Sequence, residues 1–170
     1  MPVDVLTRGR ARQTLPRELE KQTARKVRAA LKLLGRARSS ATLVFTDDEE
    51  IRVLNRDYRS HDRATDVLSF HLQELGGETD PAGNGIHLGD IVISVETARR
   101  RSGPRRYASE LERLALHGLC HLFGHDHKKP SEAKVMFALE RRLRRLAGPR
   151  SSADTVTASR AKTRPSARRP

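Results

Sequence analysis

Four of the chain's seven histidines and its only cysteine fall within twelve positions, in the stretch LHGLCHLFGHDH at residues 116–127. His117 and His121 are four residues apart, so on a helix their side chains lie on one face and can bind one ion. Gly124 lets the chain leave the helix through a left-handed conformation, and the returning segment can bring His127 to the same ion. Three neutral imidazoles suit zinc, with a fourth position open for water or substrate, as in catalytic zinc sites. The sequence therefore predicts one zinc ion (Zn2+) per chain, held by His117, His121 and His127.

The other polar residues of this stretch receive different predictions. His125 is expected to be exposed or packed rather than a ligand. Asp126 is a candidate to hold a ligand histidine through a hydrogen bond, or to act as a base. Cys120 lies between the two helical ligands, but burial as a small hydrophobic residue is the expected role.

The position that follows the first histidine bears on the chemistry. The metzincin proteases share the spacing of three histidines and a glycine, and they place a glutamate directly after the first histidine as general base. Here that position is Gly118. Loss of a general base costs about 10²-fold or more in rate, so peptide hydrolysis by this route is disfavoured. A metzincin-like hydrolase of peptides or esters is kept as an alternative.

A second group of candidates lies in LNRDYRSHDRATDVLSF, residues 54–70. An arginine in a cleft can pair with a phosphate through two hydrogen bonds and stabilise charge that develops on it in a transition state. Arg59 is therefore the candidate catalytic residue, and a phosphodiester the candidate substrate. Asn55, Asp66 and Ser69 are weaker candidates for substrate binding. Ordinary structural roles are the alternatives, namely a solvated cation at a helix end for Arg59 and a hydrogen-bonding residue before a strand for Asp66.

The elements that position these residues are predicted from hydrophobic periodicity and from capping residues. Strands are predicted at 3–6, 41–46, 65–72 and 85–95, with an exposed loop at 76–85. Helices are predicted at 17–34, from a capping box of Thr46 and Glu49, after Ser94, at 107–124, and from a cap at Ser131. Together these predict one compact α/β (α+β) domain, a small mixed sheet of about four strands packed with about five helices. The metal site is expected at a helix C-terminus.

The charge of the chain favours a polyanionic partner, and a solvated basic surface without a partner is the alternative. There are 34 lysines and arginines against 21 aspartates and glutamates, a net charge of +13. Residues 148–170 contain six basic residues and one acidic residue, which leaves +8 for residues 1–147. We therefore expect a folded domain at 1–147 and a basic, disordered tail at 148–170 that adds salt-sensitive affinity for a nucleic-acid partner. The sequence contains neither an apolar run of about 18 residues nor a signal-peptide pattern, so no membrane contact and a cytoplasmic location are expected.

The two motifs, with LGDIVIS between them, resemble the YbeY family of bacterial metal-dependent endoribonucleases, also described as rRNA maturation factors. The resemblance covers about residues 40–147. It implies a single-strand-specific endoribonuclease that acts in 16S rRNA 3′-end maturation and ribosome quality control, with single-stranded and ribosomal RNA and the ribosome or its small subunit as partners. The zinc ligands of the family fall on His117, His121 and His127, and its functional arginine falls on Arg59.

The chain departs from the family pattern at three positions. His125 stands where the family usually has tyrosine, and Ala64 and His71 stand where it usually has proline. None of these changes removes a ligand. An alternative from another class is an RNA-binding ribosome-assembly factor in which the metal is structural.

Overall fold

The structure is a computed structural model that describes residues 3–72, 85–125 and 129–146. Residues 76–84 of the predicted loop, the tail at 148–170, Asp126 and His127 lie outside the described residues. The strands are β1 (Val3–Thr7), β2 (Ser40–Thr46), β3 (Val67–His71) and β4 (His87–Ser94). The helices are α1 (Ala11–Thr14), α2 (Arg17–Leu33), α3 (Asp48–Arg59), α4 (Val95–Ser102), α5 (Tyr107–Leu122) and α6 (Pro130–Leu146), with a 3-10 turn at Pro104–Arg106.

The four strands form one mixed sheet in the order β1-β2-β4-β3. β2 pairs in parallel with β1 and with β4, whereas β3 runs antiparallel to β4. The predicted small mixed sheet of four strands is thus confirmed. In the described part of the chain six α-helices accompany it, where about five were predicted, because the single turn α1 carries no periodicity that sequence reasoning could detect.

Alternating side chains send the strands' apolar residues to both faces of the sheet, as strand geometry requires. Leu43 and Phe45 of β2 belong to the larger core, which includes residues of α2, α5 and α6. Val44 between them belongs to a smaller cluster with Ile51 of α3 and Val92 of β4. The sheet is therefore covered by α2 and α5 on one side and by α3 on the other.

Two helix starts differ from the sequence prediction. Asp47, rather than Thr46, caps α3, because its carboxylate accepts a hydrogen bond from the Glu50 amide at 3.0 Å. Thr46 still takes part, since its hydroxyl donates to the Glu50 carboxylate. Helix α6 begins at Pro130, so Ser131 lies inside it instead of capping it; proline is well suited to the first turn.

Asp48 joins α3 to the end of β4 and to α4. Its carboxylate accepts hydrogen bonds from the Ser94 hydroxyl at 2.5 Å and the Thr97 hydroxyl at 2.6 Å, and from Arg100 at 2.7 Å. Burial alone would raise the pKa of Asp48, but these three donors outweigh it and hold the pKa below its ordinary value. Ser94 also accepts from the Thr97 amide, which confirms the predicted helix start after Ser94.

The search for a bilayer-crossing helix covered the described residues, and none of their helices has the length and apolar character that crossing would need.

Candidate active site

The two helical histidines lie together on α5, as their spacing predicts. Leu111, Leu114 and Leu119 bury the helix in the core, whereas His117 and His121 are only partly buried. Their Nε2 atoms are 3.3 Å apart, and the two rings meet edge to face with centroids 4.9 Å apart. Two imidazole nitrogens therefore converge on one point beside the helix.

The turn after α5 forms as predicted around Gly124, whose φ is +77°. The Gly124 amide donates to the His121 carbonyl at 2.8 Å, and the His125 amide donates to the Cys120 carbonyl at 3.1 Å. This pair of hydrogen bonds is the Schellman motif, which ends a helix through a left-handed residue. The chain thus reverses direction within three residues of His121.

The proposed third ligand, His127, and the neighbouring Asp126 are outside the described residues. Within the ranges 3–72, 85–125 and 129–146 there is no group of three or more potential ligands that could hold a metal ion. His125 lines the same cleft as His117 and His121 but does not complete such a group with them. His127 therefore stays a prediction.

Sequence reasoning missed the carboxylate that contacts His117. The Glu140 carboxylate on α6 lies 3.1 Å from Nδ1 of His117, and the Glu140 side chain is 8% exposed. Met136 and Leu143, also on the inner face of α6, are buried in the core. A glutamate in the apolar stripe of an amphipathic helix is the signal that could have identified it, because buried carboxylates need partners. The contact directs Nε2 of His117 toward His121.

Gly118 and Cys120 face the protein interior. A Cβ atom on Gly118 would lie 2.5 Å from the Ile91 side chain and 3.0 Å from the Ser69 hydroxyl, so α5 packs on the sheet too closely for a side chain. A general base at this position is therefore excluded sterically as well as chemically. Cys120 is fully buried in the core, as predicted, and burial raises the pKa of its thiol to about 12.

Arg59 lines the same cleft as His117 and His121. It is the last residue of α3, and Ser60 after it adopts a left-handed conformation with φ of 58°. Nη2 of Arg59 donates to the Ser69 carbonyl at 3.0 Å. This is the guanidinium's one hydrogen bond within the described residues, so its other N–H groups are available to a ligand.

The three weaker candidates line the cleft, but their side chains also bind the protein. Asn55 is buried and donates to the Arg63 carbonyl at 2.8 Å, which ties down the loop after α3. Asp66 accepts from the Val67 amide at 2.9 Å and pairs with Arg101 of α4, a partner that the sequence did not indicate. Ser69 donates to the Gly118 carbonyl at 3.2 Å. These contacts favour positioning roles, and substrate binding by these residues stays a prediction.

The cleft that these elements enclose has a volume of about 530 Å³, which is within the range of small-molecule sites. It is lined by Asn55, Arg59, His61, Thr65, Asp66, Val67, Leu68, Ser69, His71, His117, His121, Gly124 and His125. The residues that sequence analysis drew from two distant motifs are thus brought to one place. The cleft thus offers two converging imidazole nitrogens and a guanidinium group.

Comparison with known proteins identifies relatives of this chain. The family model described as Endoribonuclease YbeY matches residues 7–147. Endoribonuclease YbeY of Anaeromyxobacter dehalogenans is 43% identical over 133 residues, which cover 75% of this chain and 66% of that protein. Endoribonuclease YbeY of Listeria welshimeri is 47% identical over 111 residues, which cover 60% of this chain and 69% of that protein. The match spans less than two thirds of the Anaeromyxobacter relative.

A solved structure shares the fold. A solution structure of a Thermotoga maritima protein matches 85% of this chain and 88% of its own chain, with a TM-score of 0.54 and 23% sequence identity. The arrangement of helices and strands described above is thus also found in an experimentally determined protein.

Proposed function

This chain belongs to the endoribonuclease YbeY family, and from that premise we propose that it is a metal-dependent endoribonuclease that cleaves single-stranded RNA in the cytoplasm. Its proposed role is 16S rRNA 3′-end maturation and ribosome quality control, with the ribosome or its small subunit as partner. The net charge of +13 suits such a polyanionic partner.

The observation that carries this proposal is the meeting of Arg59 with His117 and His121 in one cleft. A guanidinium presents a planar fork of N–H donors that matches a phosphate group. No carboxylate neutralises Arg59 within the described residues, in contrast to Arg52, which is paired with Asp62 at 2.8 Å. Arg59 is therefore suited to bind the scissile phosphate and to stabilise the charge that develops on it.

The residues present fit a zinc ion. Ligand nitrogens about 2.0–2.1 Å from a tetrahedral zinc lie about 3.3–3.4 Å from each other, and the Nε2 atoms of His117 and His121 are 3.3 Å apart. We assign His127 as the third ligand from its spacing and from the family resemblance. When bound, zinc would supply Lewis-acid polarisation of the phosphodiester. Glu140 orients His117 by accepting from its Nδ1, as hydrogen-bonded carboxylates commonly do for ligand histidines.

The two alternatives predict different behaviour. A metzincin-like peptidase needs a base after the first histidine, and the packing of Gly118 against Ile91 leaves no room for one. An RNA-binding assembly factor with a structural metal would use Arg59 to bind a phosphate without cleaving the RNA, so this alternative differs from the proposal in cleavage and not in RNA binding. Cleavage products separate the possible nucleophiles: a 2′,3′-cyclic phosphate indicates attack by the 2′-hydroxyl, and a 5′-phosphate indicates attack by water.

The test is Arg59→Ala, with Arg56→Ala as the matched control. Arg56 lies one turn earlier on α3, is exposed, and pairs with Asp57 at 2.9 Å. Loss of an electrostatic stabiliser costs about 10²–10³-fold in kcat, so Arg59→Ala should lower single-turnover cleavage of single-stranded RNA by that factor with metal content unchanged. Arg56→Ala should cleave at nearly the wild-type rate.

Two outcomes would contradict the proposal. Wild-type cleavage by a folded, metal-loaded Arg59→Ala variant would remove the catalytic role of the arginine. Support of rRNA maturation in cells by both Arg59→Ala and His117→Ala would instead favour the non-catalytic assembly factor.

A further inference from the structure

A second cleft lies between helices α2, α5 and α6, and it shares no residue with the cleft lined by His117, His121 and Arg59, which we call the histidine cleft. Its volume is about 390 Å³. It is lined by Lys26, Ser109, Glu112, Arg141, Arg144 and Arg145, and we call it the arginine cleft.

The single acid of the arginine cleft is already engaged. One Glu112 carboxylate oxygen accepts from Gln22 at 2.7 Å, and the other lies 3.4 Å from the ammonium group of Lys26. The side chains of Lys26 and Glu112 are only 11% and 17% exposed, so this pair forms the floor of the cleft. The positive charge of the three arginines is not compensated by it.

Arg141, Arg144 and Arg145, three of the four arginines of α6, are exposed, and none of these three forms an ion pair or hydrogen bond within the parts of the chain that the structure describes. Arg141, Arg144 and Arg145 are three and four residues apart, so they lie on one face of the helix, where like charges destabilise it. Arg144 and Arg145 lie in the last turn of α6, where the negative end of the helix stabilises a cation, but this effect does not account for the grouping of three guanidinium groups with Lys26 around one cleft. That grouping is suited to a ligand with several negative charges.

We propose that the arginine cleft binds the phosphodiester backbone of RNA outside the segment that occupies the histidine cleft. Guanidinium groups bind phosphates through paired hydrogen bonds, and several of them on one surface match a chain of repeated phosphates. This inference rests on the proposed function, since RNA is the substrate assigned there. The arginine cleft is then a second contact that adds affinity without taking part in cleavage.

The geometry of α5 determines which RNA can use both clefts. Glu112 and His121 are nine residues apart, which is about 14 Å along the helix axis and half a turn around it. The two clefts are therefore separate and lie at different positions along and around α5. Only an RNA long enough to span the distance between them can contact both, whereas a short oligonucleotide can occupy the histidine cleft alone.

The experiment compares the full-length triple variant R141Q/R144Q/R145Q with R12Q/R17Q/R25Q. The control variant removes the same charge from three exposed arginines that line neither cleft. We would measure binding to a long RNA of about forty nucleotides and a short RNA of about five, over a salt series with a chelator present. The two lengths lie above and near the lower end of the site sizes of single-strand binding proteins. Cleavage of the short RNA is measured separately with metal, and circular dichroism checks the helix content.

Each phosphate contact on a single strand contributes about 0.7 to the slope of log K against log salt. Loss of three contacts should lower that slope by about 2 for the long RNA, with short-RNA cleavage unchanged and the control variant like the wild type. An equal slope for both triple variants would overturn the inference. It would also be overturned if polyglutamate displaced the long RNA from the protein as readily as unlabelled RNA does. Failure of the wild type to cleave either RNA would instead overturn the proposed function.

Discussion

Glu140→Gln should weaken metal binding without unfolding the protein. The carboxylate is 3.1 Å from Nδ1 of His117, and both side chains are largely buried, at 8% and 15% exposure. A carboxylate in this position fixes the ring and makes the coordinating nitrogen more basic, and loss of such a partner typically costs 10–100-fold in metal affinity. That loss corresponds to about 1.4–2.7 kcal/mol. Glutamine keeps the volume and one acceptor oxygen but removes the charge, so a value near the lower end is expected.

Glu140→Ala should have a larger effect than Glu140→Gln. It leaves the Nδ1 side of His117 without its acceptor on α6, and a buried polar group left unsatisfied costs about 1–3 kcal/mol. The alanine also leaves space beside Met136 and Leu143, so some loss of stability is expected from packing alone. The order of affinities should therefore be wild type, then Gln, then Ala.

The assay is competition for zinc with a chromophoric chelator, together with urea unfolding of the metal-free protein. Glu132→Gln is the control, because Glu132 is on the same helix, is 45% exposed and, among the described residues, pairs only with exposed Lys129 at 3.5 Å. Equal zinc affinity of Glu140→Gln, Glu132→Gln and the wild type would refute the positioning role. The positioning role would also be refuted if Glu140→Gln lowered the unfolding free energy of the metal-free protein by as much as it lowered the free energy of zinc binding.

Two further predictions concern stability. Gly118→Ala should destabilise the protein by about 1–3 kcal/mol, because the new methyl group would lie 2.5 Å from Ile91; thermal unfolding measures this, and a midpoint equal to that of Ser109→Ala would contradict it. Asp48 has a pKa below its ordinary value, so its contribution to stability is present above the unfolded-state value of about 3.9 and is lost as the pH falls through the lower folded value. The stability difference between wild type and Asp48→Asn should therefore shrink below about pH 4, and a difference constant from pH 7 to pH 3 in urea unfolding would contradict this.

The sequence predicted the parts of the site that local patterns control. His117 and His121 share a face because both lie on one helix, and Gly124 ends that helix because a glycine adopts positive φ easily. The start of α3 was placed one residue early, since Thr46 and Asp47 are both good caps and only the tertiary fold selects between them. Within one helix, local spacing is thus sufficient to predict which side chains share a face and where the helix ends.

Contacts between distant elements could not be predicted in the same way. Glu140 comes 23 residues after His117, and its role depends on how α6 packs against α5. Arg101 reaches Asp66 across 35 residues and from a different helix. Spacing along the chain carries no information about such pairs. The sequence does place a glutamate among buried apolar positions of α6, but this indicates only that the carboxylate needs some partner.

Two residues of the histidine cleft, Arg59 and His121, lie at the C-terminal ends of helices that are followed by a left-handed residue. Arg59 ends α3 before the left-handed Ser60, and His121 precedes the left-handed Gly124 that ends α5. Helix C-termini carry partial negative charge, which stabilises a nearby cation by about 0.3–1 kcal/mol. A guanidinium and a metal ion that faced the same phosphate, as the proposed function requires, would repel each other, and placing both at the negative ends of helices would offset part of that repulsion. Ser60 adopts a left-handed backbone conformation that usually favours glycine. The resulting turn ends α3 directly after Arg59 and leads the chain into the loop that follows. That loop is held by the Asn55 side-chain amide, which donates to the Arg63 carbonyl.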